Sequence, residues 1–349
     1  MPAFLRSGLV LVVAVTVAVG VTTLPIRAAD ESKDLASRID KLEKKVATLQ
    51  AKLKYVSVVP GPINGLAGPH VIFEGCNVHI RSGSGDSTDG TVDLVNRTVI
   101  PDTTPAGLGN LVLGYNEQPV SGDVDRGGSH NLIIGPWHAY TSVAGAVFGQ
   151  KNSATGPLSS VTGGLLNTAS GYSSSVSGGI SNTASGDSSS VSGGNQNTAS
   201  AYTSSVSGGN QNMASAVQSS VSGGDTNTAS GDVSSVSGGS ANTASSTFSS
   251  VSGGYVNTAN NDYSSVSGGS GNTASAAFSS VSGGRNNTTS GVHSSVSGGD
   301  TNTASGVYSS VSGGQINTAD NNYCSVSGGY FRAATVEFDW VAGALLQNF

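Results

Sequence analysis

This chain of 349 residues has very little of several things that folded proteins ordinarily use. It holds two cysteines, Cys76 and Cys324, nearly 250 positions apart, which excludes a framework of closely spaced disulfides. Cys324 stands where neighbouring repeats carry Ser ("NNYCSVSGG" against "GVYSSVSGG"), so it reads as a small residue filling a small site. Charged residues are only 10% of the chain, the formal net charge is −6, and no Lys/Arg cluster occurs beyond residue 54. That excludes nucleic-acid binding through a basic stripe. Aromatics are only 6%, whereas 50 residues are Gly, about twice the usual usage, without the three-residue period of collagen.

The one long apolar run lies at the N-terminus, "MPAFLRSGLVLVVAVTVAVGVTTLPIRAAD". Arg6, an uncharged stretch over residues 8–24, and Pro25 with Ala28 and Ala29 match a secretory signal peptide over residues 1–29. The alternative is an uncleaved anchor, since residues 8–26 are long enough to span a bilayer; contact with a membrane is expected only in that case. Export places the remainder outside the cell or at its surface.

Residues 30–57 carry apolar side chains in steps of four and three: Leu35, Ile39, Leu42, Val46, Leu49, Leu53 and Val56. This is the heptad pattern of a coiled coil, with Ile39, Val46 and Leu53 at a and Leu35, Leu42, Leu49 and Val56 at d. β-Branched a with Leu d favours two strands. "RIDKLE", which sets Arg38 at g and Glu43 at the next e, resembles a short motif of three-stranded coils.

What is abundant is repetition. "SSVSGGDTNTASG" occupies residues 219–231 and, letter for letter, residues 294–306. From Val161 to Val326 a Val recurs every fifteen positions, with Gly-Gly two positions later. Asn recurs as strictly, at Asn167, Asn182, Asn197, Asn212, Asn227, Asn242, Asn257, Asn272, Asn287, Asn302 and Asn317. A fixed period with constant small apolar positions marks a repeat array. In "S-V-S" and "T-A-S" the alternation is that of a half-buried strand, Val and Ala inward, Ser and Thr outward. The expected fold is therefore all-β: a parallel β-solenoid of 14–15-residue turns behind an α-helical coiled coil. Gly-Gly supplies a tight corner, and the stacked Asn residues form a ladder whose amides bond along the stack. One Val and one Ala per turn bury little apolar surface. A further buried face is expected, and an identical chain delivered by the coiled coil is its natural supplier.

The repeat "SVSGGxxNTASG" and the earlier "AVFGQKNSATG" at residues 146–156 resemble the head repeat of trimeric autotransporter adhesins, which runs roughly S-V-A-I-G-x-x-S-x-A-x-G. Val176, Gly179, Ala184 and Gly186 match it in one unit, and Val147, Gly149, Ala154 and Gly156 in another. The resemblance covers about residues 127–335, and the spacing Ile133–Val147–Val161 is fourteen before it settles at fifteen. It implies a left-handed parallel β-roll of three chains abreast, on a coiled-coil stalk, binding host matrix. The order differs, since that family sets its head before its stalk. The family also ends in a four-strand membrane anchor, for which "VEFDWVAGALLQNF" has room for one strand or two.

The expected layout is a signal peptide over 1–29, a stalk over 30–57, an irregular neck with the first solenoid turns over 58–158, the repeat head over 159–335 and a C-terminal cap over 336–349. "CNVHI" sets Cys76 near His79, but two ligand types alone do not make a zinc site. Asp86, Asp89 and Asp93 miss the calcium-loop spacing and read as a solvated loop. No catalytic set, cofactor or metal is expected. One column is more informative: three residues before each Val the chain reads Ser173, Ser188, Thr203, Gln218 and Val233, then, over half the array, Phe248, Tyr263, Phe278, His293, Tyr308 and Tyr323. Its reading is either a packed seam, within the coil or between chains, or an exposed strip that contacts an extracellular protein or glycan.

Two functions follow. The first is an exported, oligomeric stalk-and-head protein, a homotrimer, acting in adhesion or as a structural fibre without catalysis. The second is an ice-binding solenoid presenting Thr-x-Ser arrays, with Met213 and Thr289 as interruptions of the column.

Overall fold

The structure is a computed structural model that describes residues 25–119 and 124–343. The expected signal peptide or anchor falls on residues 1–29, of which 1–24 lie outside the described residues. Among the described residues no helix is long and apolar enough to cross a membrane. The chain divides after His79 into two units, a boundary inside the expected 58–158 neck.

The first unit holds helix α1, Pro25–Lys52, and an antiparallel hairpin of β1, Val56–Val59, with β2, His70–Phe73. The helix corrects the expected stalk at both ends. It begins before residue 30, and it stops short of Leu53 and Val56. Leu53 still donates its N–H to Leu49 O, the helical i→i−4 bond, but Val56 opens β1, where β-branched residues replace the heptad. Asp40 and Lys44 pair across one turn on the exposed face. Leu35, Ile39, Leu42, Val46, Leu49 and Leu53 are all 47–59% exposed.

The second unit opens with a small hairpin, β3 (Val92–Asp93) with β4 (Thr98–Val99), and then winds into a parallel β-solenoid of about 14 turns. One ladder of sixteen strands runs from Leu111–Leu113 to Trp340–Val341, and a second of fourteen from Ala139–Tyr140 to Ala333–Ala334. A third line of single bridges links Gln150, Leu165, Ile180 and their successors down to Tyr330. Pairing is strictly in register: Val176 faces Val191, and Ala184 faces Ala199. A shift by one residue would bury Ser and expose Val, so the alternation read from the sequence sets the register.

The inside of each turn is filled by four small side chains. In the turn that begins at Val236 these are Val236, Asn242, Ala244 and Ser249, all buried. Asn242 shows how the polar member is accommodated. Its Oδ1 accepts the backbone N–H of Asn257 at 2.9 Å, while its Nδ2 donates to Gly238 O and to Gly254 O, each at 2.9 Å. The same three bonds recur down the array, with N–H to Oδ1 distances of 2.7–3.0 Å. The ladder thus runs from amide to backbone rather than from amide to amide. Each Asn fastens its own corner to the next turn and leaves neither end of its own buried amide unpaired.

Two further expectations change. Residues 336–343, expected in a separate cap, continue the solenoid, because Trp340–Val341 pairs with Ser325–Val326 in the first ladder, just as Ala333–Ala334 pairs in the second. Arg332 takes the ladder position there, and its backbone N–H still reaches Asn317 Oδ1 at 2.9 Å. Thr289 lies inward, at an Ala position between Ala274 and Ala304, so it does not interrupt the outward Thr column; Met213 does. Cys324 is buried in the Ser column and free, as a small space-filling residue would be.

Candidate functional site

The residues before each Ser-Ser-Val segment sit at a bend. There the chain adopts φ near +55°, in turns bearing Tyr263, Phe278 and Tyr308 as much as in turns bearing Ser173 or Thr203. This left-handed conformation costs an L-residue about 1–2 kcal/mol. A hydrogen bond offsets it: Tyr263 donates its N–H to Thr247 O in the preceding turn at 2.9 Å, and Tyr308 to Val292 O at 2.9 Å. The bend aims each side chain outward and stacks it over its equivalent one turn away.

The aromatic column is consequently a continuous stack on the surface. Phe248, Tyr263, Phe278, His293, Tyr308 and Tyr323 lie with ring centroids 4.7–5.4 Å apart and planes within 4–13° of parallel. The spacing is that of adjacent strands, so the backbone sets it. Phe338 adds a seventh ring, 5.0 Å from Tyr323. The sequence carried that signal, since Phe338 follows Tyr323 by fifteen, but treating residues 336–349 as a distinct cap hid it. The five Phe and Tyr rings from Phe248 to Tyr323 are 46–51% exposed. Ring faces between Phe248 and Phe338 cover one another, and edges and tyrosine hydroxyls point to solvent. A sugar or a flat ligand needs about 7 Å between rings to enter such a stack, twice the thickness of an aromatic ring. The column therefore offers edges and hydroxyls rather than open faces.

A second surface line follows the single-bridge positions. Asn195 donates to Asn210 and Asn210 to Asp225, at 2.8 and 2.7 Å. Further down, Arg285 grips Asp300 through two bonds of 3.0 and 2.6 Å, which hold the Asp300 carboxyl below its ordinary value.

At the N-terminal end of the solenoid, Asp89 requires a correction. Asp86 and Asp93 are bound only to their own loops, but the Asp89 carboxylate is nearly inaccessible. It accepts Ser84 Oγ at 2.7 Å and the N–H of Ala106 at 2.9 Å, along with Ser82 Oγ. Burial by itself would raise its pKa, but the bonds from Ser129, Ser82, Ser84 and Ala106 outweigh burial and hold it well below the carboxylate range. His130 Nδ1 stands 3.9 Å away, while its Nε2 accepts the N–H of Ser82 at 3.2 Å. With the Ser82 hydroxyl bonded to Asp89 and only its backbone N–H on the imidazole, this cluster is a tie between loop and solenoid, not a nucleophile paired with a base.

Sequence reasoning also missed where the ladder begins. His138 is fully buried and occupies the Asn position. Its N–H reaches Asn116 Oδ1 at 3.0 Å, its Nε2 bonds Ile134 O at 3.1 Å, and its Nδ1 accepts the N–H of Asn152 at 3.2 Å. The signal was present, because His138 follows Ile133 by five residues as Asn152 follows Val147. Cys76 is an exposed free thiol, and no group of three His, Cys, Asp or Glu among the described residues is placed to hold a metal.

No known protein-family model matches this chain, and no curated protein matches it.

Proposed function

We propose that this protein is an exported stalk-and-head surface or fibre protein that assembles in parallel, in three copies, and works by adhesion or as a structural element without catalysis. The observation that carries the reading is the heptad stripe of five apolar side chains on α1, continued by Leu53 just beyond it, each about half exposed along one face. Burial of such a stripe against identical helices is the outcome that the hydrophobic effect favours. The likeness of the repeat to trimeric autotransporter adhesin heads, and "RIDKLE" around Arg38 and Glu43, support three chains. In that assembly each surface column is displayed three times, so weak contacts act together. The column from Phe248 to Tyr323 is the proposed contact strip. Its tyrosine hydroxyls and ring edges suit a protein partner better than a sugar held by face stacking.

Adhesion is tested with beads coated in the full chain and offered a panel of immobilised extracellular-matrix proteins and glycans. Retention by at least one surface, lost when Tyr263, Tyr308 and Tyr323 are changed together to Ser, is the expected result. Equal failure of both coatings on every surface would contradict the adhesive reading.

One observation favours ice binding as a second reading. Thr168, Thr183 and Thr198, each with a Ser two residues on, face outward in an in-register ladder. A thermal hysteresis gap would support this reading, and its absence removes it.

A further inference from the structure

The hairpin that follows α1 has an apolar face that the described residues leave largely open: of its four members only Val56 is half-buried. Its register pairs Val56 with Phe73 and Val58 with Val71. Alternation puts these four on one face, with Ser57, Val59, His70 and Ile72 on the other. Val58 is 64%, Val71 61% and Phe73 54% exposed, whereas Val59, His70 and Ile72 are half-buried. The more apolar face is thus the more open one. A lone two-stranded hairpin is marginal in water and needs such a face packed against something.

We propose that this face is a second self-association surface, and that its occupant is the same face of another copy of this chain. The inference rests on the parallel assembly proposed above. Chain continuity identifies the occupant. Val56 donates its N–H to Leu53 O at 2.9 Å, so the first strand leaves the last heptad residue after only two intervening residues. At about 3.3 Å per residue, the hairpin starts within roughly 10 Å of the seam. Parallel helices in register therefore deliver the hairpins of all copies to one level, close to one axis. There like must meet like. A face of Val56, Val58, Val71 and Phe73 carries no charge to repel its copy, and it is self-complementary because every member is apolar. The hairpins would continue the apolar seam beyond the point where the helix stops, closing the stalk with a β-layer.

The test is cysteine cross-linking of the full chain in a Cys76→Ser background. Val58→Cys and Val71→Cys place a thiol on the apolar face, and Ser57→Cys places one on the opposite face. After copper–phenanthroline oxidation, denaturing non-reducing gels should show the monomer band lost to covalent dimer for Val58→Cys and Val71→Cys. Ser57→Cys should keep its monomer band, since a disulfide needs Cα atoms within about 7 Å. Sedimentation equilibrium on the same samples separates the two levels of the argument. An oligomeric mass with no cross-link at either apolar position, or with equal cross-linking at Ser57, overturns this inference and leaves the helical seam standing. A monomeric mass overturns both.

Discussion

The imidazole of His138 accepts the backbone N–H of Asn152 through Nδ1 at 3.2 Å, the bond that Asn152 Oδ1 in turn extends to the N–H of Asn167 at 2.7 Å. A histidine therefore does the work of an asparagine in the ladder, and only in one form. Nδ1 must be bare to accept, and Nε2 must carry the proton that it donates to Ile134 O. Burial, the largest influence, holds its pKa below the ordinary value.

This makes the first turns of the solenoid acid-sensitive. The unfolded chain takes up a proton at His138 near its ordinary pKa of about 6.5, before the folded chain does. Stability is therefore full above that pH and is lost as the pH falls below it. Asp89, also held low in the fold, adds a second loss below about pH 4. Denaturation midpoints between pH 8 and pH 5 should fall for the native chain and fall less for His138→Asn, which restores the ladder residue. Equal slopes for both would refute this role.

Asn242 tests the ladder in the middle of the array. Asn242→Ala leaves the N–H of Asn257 and the carbonyl of Gly238 without their partners inside the stack. At about 1–3 kcal/mol for each of these two unsatisfied groups, a loss of about 2–6 kcal/mol is expected. Urea unfolding reads it, and a loss below 1 kcal/mol would show that the amide is dispensable.

The two glycines of a corner should respond very differently. At Gly239, with φ of +84°, an added Cβ would run into the carbonyl of Gly254 and the amide of Asn242. At Gly238 it would meet nothing within 4 Å. Gly238→Ala should fold with an unchanged midpoint, and Gly239→Ala should unfold at distinctly lower urea. Similar behaviour of the pair would contradict this corner geometry.

How much of this was legible depended on whether a residue type stayed constant from turn to turn. Val, Ala and Asn recur at one spacing, so the solenoid, its inward face and the ladder from Asn167 onward could be read directly. His138 changes residue type where the turn length also changes, and both shifts hid it. Asp89 was invisible for another reason: its partner Ala106 lies 17 positions away, and neighbouring Ser82 binds His130 across 48, distances over which no local pattern extends. The hairpin face at Val58 and Val71 was lost because the heptad was carried on to Val56, beyond the end of the helix at Lys52. The stack from Phe248 to Phe338 was visible as a column, but the coverage of its faces needed the 4.7–5.4 Å separation.

Thr289 offers a gain rather than a loss. It replaces an inward Ala, and its hydroxyl is buried with no partner. Thr289→Val keeps the shape and removes the unpaired group, so the chain should be more stable by about 1 kcal/mol. A higher unfolding midpoint checks this, and a lower one would mean that the hydroxyl has a partner.

Sedimentation equilibrium of the full chain addresses the central claim most directly. Parallel assembly through Leu35, Ile39, Leu42, Val46, Leu49 and Leu53 predicts a mass three times that of one chain. Ile39→Asp with Val46→Asp should bring it to a single-chain mass with the solenoid still folded. A native chain that sediments as one copy across the concentration range would contradict the account, because the stalk would then have no partner for its exposed seam.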